Sequence, residues 1–153
     1  MKNPLILILF ALVLFSCHKQ YLRGYYTKEE FFSACEWEKK VDVKYKAKAR
    51  WMDSLETLNS RPDVRIYLGT YCPDSKKWVP RFFALQDSLP VGNVEIISVD
   101  TTKKDEKGFA LADSIKKIPT FIFYKSGVEM GRITEKPKGR LERALFREIN
   151  KCE

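Results

Sequence analysis

The sequence has one histidine, His18, and no Cys-x-x-Cys pair among its four cysteines. Zinc centres draw on those two residue types at short spacings, so the chain offers no site of that kind. Among its 153 residues, with 7 glycines and 7 prolines, there is no internal repeat, no glycine-rich phosphate loop and no low-complexity tract. No basic stripe with interleaved aromatics occurs, so the net charge of +8 does not describe a nucleic-acid interface. The lysines are mixed with acids, as in Lys28-Glu29-Glu30 and Glu36-Trp37-Glu38-Lys39-Lys40. That pattern reads as a solvated surface, with an anionic membrane or an acidic partner as the alternative use of the excess charge. A spanning helix needs about 20 apolar residues. The apolar run near the start, Leu5 to Phe15, has 11.

What is present is enough for one folded domain: 44% apolar residues and 13% aromatics across a single-domain length. The 11-residue run follows Lys2 and has the length of a signal-peptide core. It ends in Leu14-Phe15-Ser16-Cys17, which resembles the lipobox of bacterial lipoproteins. The resemblance implies lipidation at Cys17, a signal peptide over 1–16, and a mature protein anchored to a membrane of the cell envelope, facing the periplasm or the exterior. An ordinary signal with an incidental cysteine is the alternative. Export would place the chain where disulfides persist. With Cys17 lipidated, Cys35, Cys72 and Cys152 remain, and an odd number leaves at least one thiol free or transiently paired.

Residues 17–26 read as a tether and 27–60 as a helical extension. Thr27-Lys28-Glu29-Glu30 is a capping box, with Thr as the cap and Glu three residues later. A second helix is expected from Ala49 to Asn59, with Trp51, Met52, Leu55 and Leu58 on one face. Beyond the Asn59-Ser60-Arg61-Pro62-Asp63 break, strands are expected at Val64 to Leu68, Val94 to Val99, Thr120 to Tyr124 and Val128 to Ile133. Helices are expected at Ser75 to Leu89, Phe109 to Lys116 and Gly139 to Lys151. The order β-α-β-α-β-β-α implies an α/β fold with a mixed sheet.

Two motifs narrow this further. Leu68-Gly69-Thr70-Tyr71-Cys72-Pro73-Asp74-Ser75-Lys76 puts a cysteine between a buried strand and a long helix. Ile118-Pro119-Thr120 opens the third strand, with Pro119 lying 47 residues after Cys72. Together, at this separation and in this element order, they resemble the thioredoxin family. The resemblance runs from about Val64 to Ile149 and implies a thioredoxin fold, a mixed central sheet flanked by helices, over residues 61–153. It further implies that Cys72 is the reactive thiol, that Pro119 is a cis-proline beside it, and that Ile118 offers its backbone to a bound chain. Tyr71 precedes Cys72 and could cover the thiol, either as an exposed platform or as a packed side chain. A thiolate, not a thiol, attacks a disulfide, and a helix N-terminus stabilises an anion.

The chain departs from the family pattern at two positions. Ser75 stands where a second, resolving cysteine is expected, so Cys72 cannot close a two-thiol cycle alone. Ile66 stands six residues before Cys72, where the family often has a buried Asp. The expected activity is therefore single-thiol disulfide exchange, isomerisation or adduct removal on thiol- or disulfide-bearing envelope proteins. An external thiol would act as reductant, with no cofactor, metal or nucleic acid. A non-catalytic peptide-binding module is the alternative. Cys152, at the end of the last helix, is expected too far away to resolve Cys72. Whether it pairs with Cys35 is left open.

Overall fold

The computed structural model describes residues 21–35, 37 and 45–153. The expected signal peptide, Cys17 and the expected tether up to residue 20 lie outside them. The elements run β1 (Gly24–Tyr26), α1 (Lys28–Cys35), α2 (Ala49–Glu56), β2 (Asp63–Leu68), α3 (Pro73–Leu85), β3 (Val94–Ser98), α4 (Phe109–Ala112), β4 (Thr120–Lys125), β5 (Val128–Thr134) and α5 (Leu141–Asn150). One mixed sheet has the order β1-β3-β2-β4-β5. β2 and β3 are parallel, and the other pairings are antiparallel. This is the α/β arrangement expected from the sequence.

Strand alternation divides the apolar residues between two faces. Val64, Ile66, Leu68, Ile96, Phe121, Phe123 and Ile133 point to one. There they meet Phe31 and Phe32 of α1, Leu55 of α2, Val79 and Phe82 of α3, and Leu141 and Leu145 of α5. Tyr67, Ile97 and Ile122 point to the other face, which Ala110 of the one-turn α4 covers with Ile115, Ile118 and Val99. Complete burial of one large apolar side chain stabilises by roughly 1.5–3 kcal/mol, so the first face carries most of the apolar stabilisation.

The thin face is held partly by polar bonds. Asp113 Oδ2 accepts from Tyr67 at 2.5 Å, Tyr124 at 2.8 Å and Arg65 at 3.0 Å. Burial opposes its ionisation, but these donors outweigh burial and hold Asp113 below its ordinary value. Asp105 gathers the hydroxyl of Tyr25 at 2.6 Å and the N–H groups of Lys107, Phe109 and Ala110, fixing the start of α4.

Several boundaries differ from the sequence reading. Gly24–Tyr26, placed in a tether, forms an edge strand antiparallel to β3, with Gly24 opposite Ser98. Helix α3 starts two residues earlier than expected, with Cys72 at its cap and Pro73 in its first turn, where a missing N–H costs nothing. Its end passes into a 3-10 turn over Gln86–Ser88 rather than continuing to Leu89. Helix α2 stops at Glu56 rather than Asn59, and α4 is a single turn where a helix to Lys116 was expected. The capping box forms as read: Glu30 N–H donates to Thr27 Oγ1 at 3.2 Å and Thr27 N–H donates to Glu30 Oε2 at 2.8 Å. The β4–β5 hairpin turns through Ser126 and Gly127, both at positive φ, as a two-residue turn between right-twisted strands requires.

Candidate functional site

The site lies where β2 ends and α3 begins. Leu68 closes the buried strand, and Cys72 N–H donates to Gly69 O at 2.9 Å in the turn that follows. Cys72 takes an extended conformation at the cap of α3, and Lys76 N–H donates back to its carbonyl at 3.1 Å. The half-buried thiol therefore sits at the positive end of a 13-residue helix, with Asp74, Lys76 and Lys77 in the first turns.

The Ile118–Pro119 peptide is cis, as the resemblance implied. Both residues are buried, and the Cys72 thiol donates to the Ile118 carbonyl at 3.4 Å. Residues 46 positions apart are thus brought together at one end of the two neighbouring strands β2 and β4. Pro119 O accepts from Glu135 N–H at 2.7 Å, and Thr120 Oγ1 donates to Lys117 O at 2.7 Å, which fixes the segment that presents Ile118.

Ser75 is fully buried, and its Oγ accepts from Gly69 N–H at 3.4 Å. It braces the turn before Cys72 and offers no thiol for resolution. Ile66 is also fully buried, so no carboxylate stands at its position behind the thiol. Cys152 is a buried free thiol whose Sγ donates to Glu148 O at 3.6 Å, so it makes no bond to Cys35. It belongs to the core on the helix-covered face, whereas Cys72 packs against the cluster on the other.

Tyr71 is half-buried and packs against the same cluster as Cys72. Its hydroxyl donates to Asp100 O at 2.5 Å, and its ring meets Tyr21 edge-on at 5.1 Å between centroids. Burial, then the neighbouring Cys72 and Asp100, pushes its hydroxyl up to about 12, so it remains a protonated donor at neutral pH. Asp100 itself is tied into its loop by Thr102 and Lys104, and Arg23 approaches it at 3.6 Å. Trp78, the next aromatic along α3, packs against the larger core with Lys77 and Arg81 over its ring.

Sequence reasoning missed three contributors. Tyr21 fell in the supposed tether. Asp100 acts through its backbone, which carries no side-chain signature. At Gly69, an added Cβ would lie 2.6 Å from the Tyr71 ring and 2.8 Å from Ile118 Cδ1, so glycine leaves both side chains their room at this turn. The position of Gly69, three residues before Cys72, was the available clue. Among the described residues, no group of His, Cys, Asp and Glu is placed to hold a metal ion.

The chain matches the thioredoxin family over residues 18–147. It is 29% identical to thioredoxin from the rabbit Oryctolagus cuniculus over 99 residues, spanning 65% of this chain and 90% of that protein. Among solved structures, a protein of unknown function from Pseudomonas aeruginosa aligns with a TM-score of 0.55 at 14% identity, over 82% of this chain and 85% of the other. An HIV epitope scaffold aligns with a TM-score of 0.54 at 17% identity, over 82% and 86% of the two chains. These structural likenesses bear on the fold. The family match covers most of the sequence, and it includes the cysteine-bearing turn and the cis-proline segment whose contact builds the site: the chain belongs to the thioredoxin family.

Proposed function

We propose that the protein carries out single-thiol disulfide exchange through Cys72 on proteins of the cell envelope, to which Cys17 anchors it by lipid. The observation that carries this reading is the Cys72 thiol at 3.4 Å from the Ile118 carbonyl, across a cis-proline and at a helix start. Family membership supports a redox role. In the proposed step the Cys72 thiolate attacks one sulfur of a substrate disulfide. A bond forms between Cys72 and that sulfur, the substrate S–S bond breaks, and the second sulfur leaves as a thiolate that takes up a proton. An external thiol then attacks the mixed disulfide and restores Cys72. Alternatively, the freed substrate thiol attacks and leaves the substrate isomerised. Ile118 and Pro119 would align the substrate backbone, and Tyr71 would wall the groove. The buried Ser75 and Ile66 support an exchange that depends on outside thiols.

The same two residues favour a second reading, a non-catalytic binding module in which the groove at Pro119 holds extended peptides. Trapping separates the two. Envelope proteins should be recovered on Cys72 as reducible adducts, and Cys72→Ser should abolish their capture. Equal recovery with Cys72→Ser would favour the binding module.

A further inference from the structure

The sheet has two ends of unlike character. At the end carrying Cys72, exposed Lys76 stands in the first turn of α3 and exposed Lys104 and Lys116 on two separate loops, with Lys103 beside Lys104. The acids there are largely engaged: Asp100 with Arg23, Asp105 with Tyr25, and Glu135 with Lys117 at 2.7 Å. Asp74 and Glu106 are the remaining counter-charges. The same end has a cavity of about 410 Å³, whose apolar wall is Ala110, Leu111 and Ile115 and whose rim is Lys103, Lys104 and Lys116. Leu111 is 85% exposed, the greatest exposure of any large apolar side chain among the described residues. At the opposite end, the Lys125-Ser126-Gly127 hairpin has its lysine bound to the Cys152 and Glu153 carbonyls, and Asp63 and Glu153 lie nearby.

The chain direction adds a separate observation. β1 runs antiparallel to β3, so going from Tyr26 back to Gly24 leads toward Ser98, at the end of β3 nearest the thiol. Tyr21 then reaches the Tyr71 ring. The described chain therefore begins at the active-site end. Four peptide steps separate Cys17 from Tyr21, a reach of at most about 14 Å.

We propose that the active-site end of the sheet is a membrane-docking surface. It rests on an anionic bilayer, with Leu111 entering the interface and the lysines meeting lipid phosphates, so that Cys72 exchanges with thiols and disulfides of segments lying at the bilayer surface. The proposal rests on Cys72 as the exchanging thiol and on Cys17 as the anchor, and it deepens both by giving the site an orientation and a substrate class. Each lysine near such a surface adds about 1 kcal/mol of attraction, so Lys103, Lys104 and Lys116 together change binding by on the order of a hundredfold.

The test reconstitutes the full chain, on a Cys35→Ser background, into vesicles of phosphatidylcholine with or without phosphatidylglycerol. A fluorophore is placed either on Cys72 or, in a Cys72→Ser chain, on Ser126→Cys at the far hairpin, and headgroup-borne quenchers report proximity. The two positions lie about 20 Å apart along the strands. The Cys72 label should be quenched at least about threefold more than the hairpin label in phosphatidylglycerol vesicles. Lys103→Glu/Lys104→Glu/Lys116→Glu, and separately Leu111→Ser, should erase that difference. Equal quenching of the two labels, stronger quenching at the hairpin, or no vesicle binding would overturn the docking. Acyl mass at Cys17 is read on the same samples. Its absence would remove the anchor reading, and the two-label comparison, repeated in Cys17→Ala chains that take no label at that position, still decides the orientation.

Discussion

The two faces of the sheet solve the same problem with different materials. One buries aromatic and aliphatic side chains under α1, α2, α3 and α5. The other has a single helical turn for cover and relies on Asp113 and Asp105, each collecting several donors around a carboxylate. Apolar burial is insensitive to pH and direction, whereas a carboxylate gathering hydroxyls and a guanidinium is sensitive to both. The thiol packs against the second face, so the less insulated half of the molecule carries the proposed chemistry. The difference teaches that the scaffold and the site can be perturbed separately.

The largest expected effect is on the thick face. Phe82 is fully buried against Phe83 and Phe121, and Phe82→Ala should cost about 3–5 kcal/mol in denaturant unfolding. A cost below about 1 kcal/mol would mean that this face is not the main source of stability.

Asp113→Asn should cost about 2–3 kcal/mol at neutral pH, because it removes the charge from three hydrogen bonds. Asp113 is held below its ordinary value of 3.8, so its stabilisation is present above that pH and is lost as the pH falls through the lower folded value. Chemical denaturation at a series of pH values should show the variant and the parent converging in acid. Parallel curves would show that the thin face does not depend on this charge.

Glu142 tests the contrast from the other side, since it is a fully buried carboxylate of the helix-rich half. Burial opposes its charge, but Arg140, the Tyr45 hydroxyl at 2.5 Å and Lys48 N–H at 3.0 Å lower it to about 2. Its contribution should be complete above about pH 4.5 and fade toward pH 2, and Glu142→Gln should cost about 2 kcal/mol at neutral pH. The same contacts tie the segment before α2 to α5. Proteolysis of that segment should therefore quicken in the variant, and an unchanged rate would show that the segment is held by other means.

The smallest effect on stability, within about 1 kcal/mol, is expected of Ser75→Cys, which exchanges one buried oxygen for sulfur. Its effect on chemistry should be large. The introduced thiol, in the first turn of α3, should form a reversible bond with Cys72, shorten the life of mixed disulfides and raise turnover with a dithiol reductant. Non-reducing mass spectrometry beside a disulfide-reduction assay reads both. If no such bond forms and turnover is unchanged, the site is not a two-thiol site lacking one sulfur.

Much of this is legible in the sequence. The pairing of a cysteine at a strand–helix junction with an Ile-Pro-Thr strand start is a long-range signal, and the contact between Cys72 and Ile118 fulfils it. Thr27 and Glu30 announced their helix through local bonding alone. Gly24–Tyr26 could not be read, because three residues are too few to show alternation and their strand conformation is imposed by the edge of β3. The run to Lys116 had helical composition, but Ser114 adopts a positive φ and Asp113 is taken up by tyrosines and an arginine from the sheet, so tertiary bonding overrode propensity.

The short β1 strand also bears on how copies of the protein meet one another. An uncovered edge strand is a row of open donors and acceptors, a template on which a second chain can add. β1 occupies that row on β3 with the protein's own backbone. At the far side of the sheet, β5 is left outermost, but its pairing with β4 is interrupted by a register shift at Phe123/Tyr124, and it carries Glu129 and Arg132 in a mutual ion pair. One margin is thus reduced to a three-residue edge strand and the other is blunted by charge and irregularity. Losing residues 21–26 would therefore do more than free the N-terminus: it would open β3 to strand addition and turn a self-limited sheet into one that can grow.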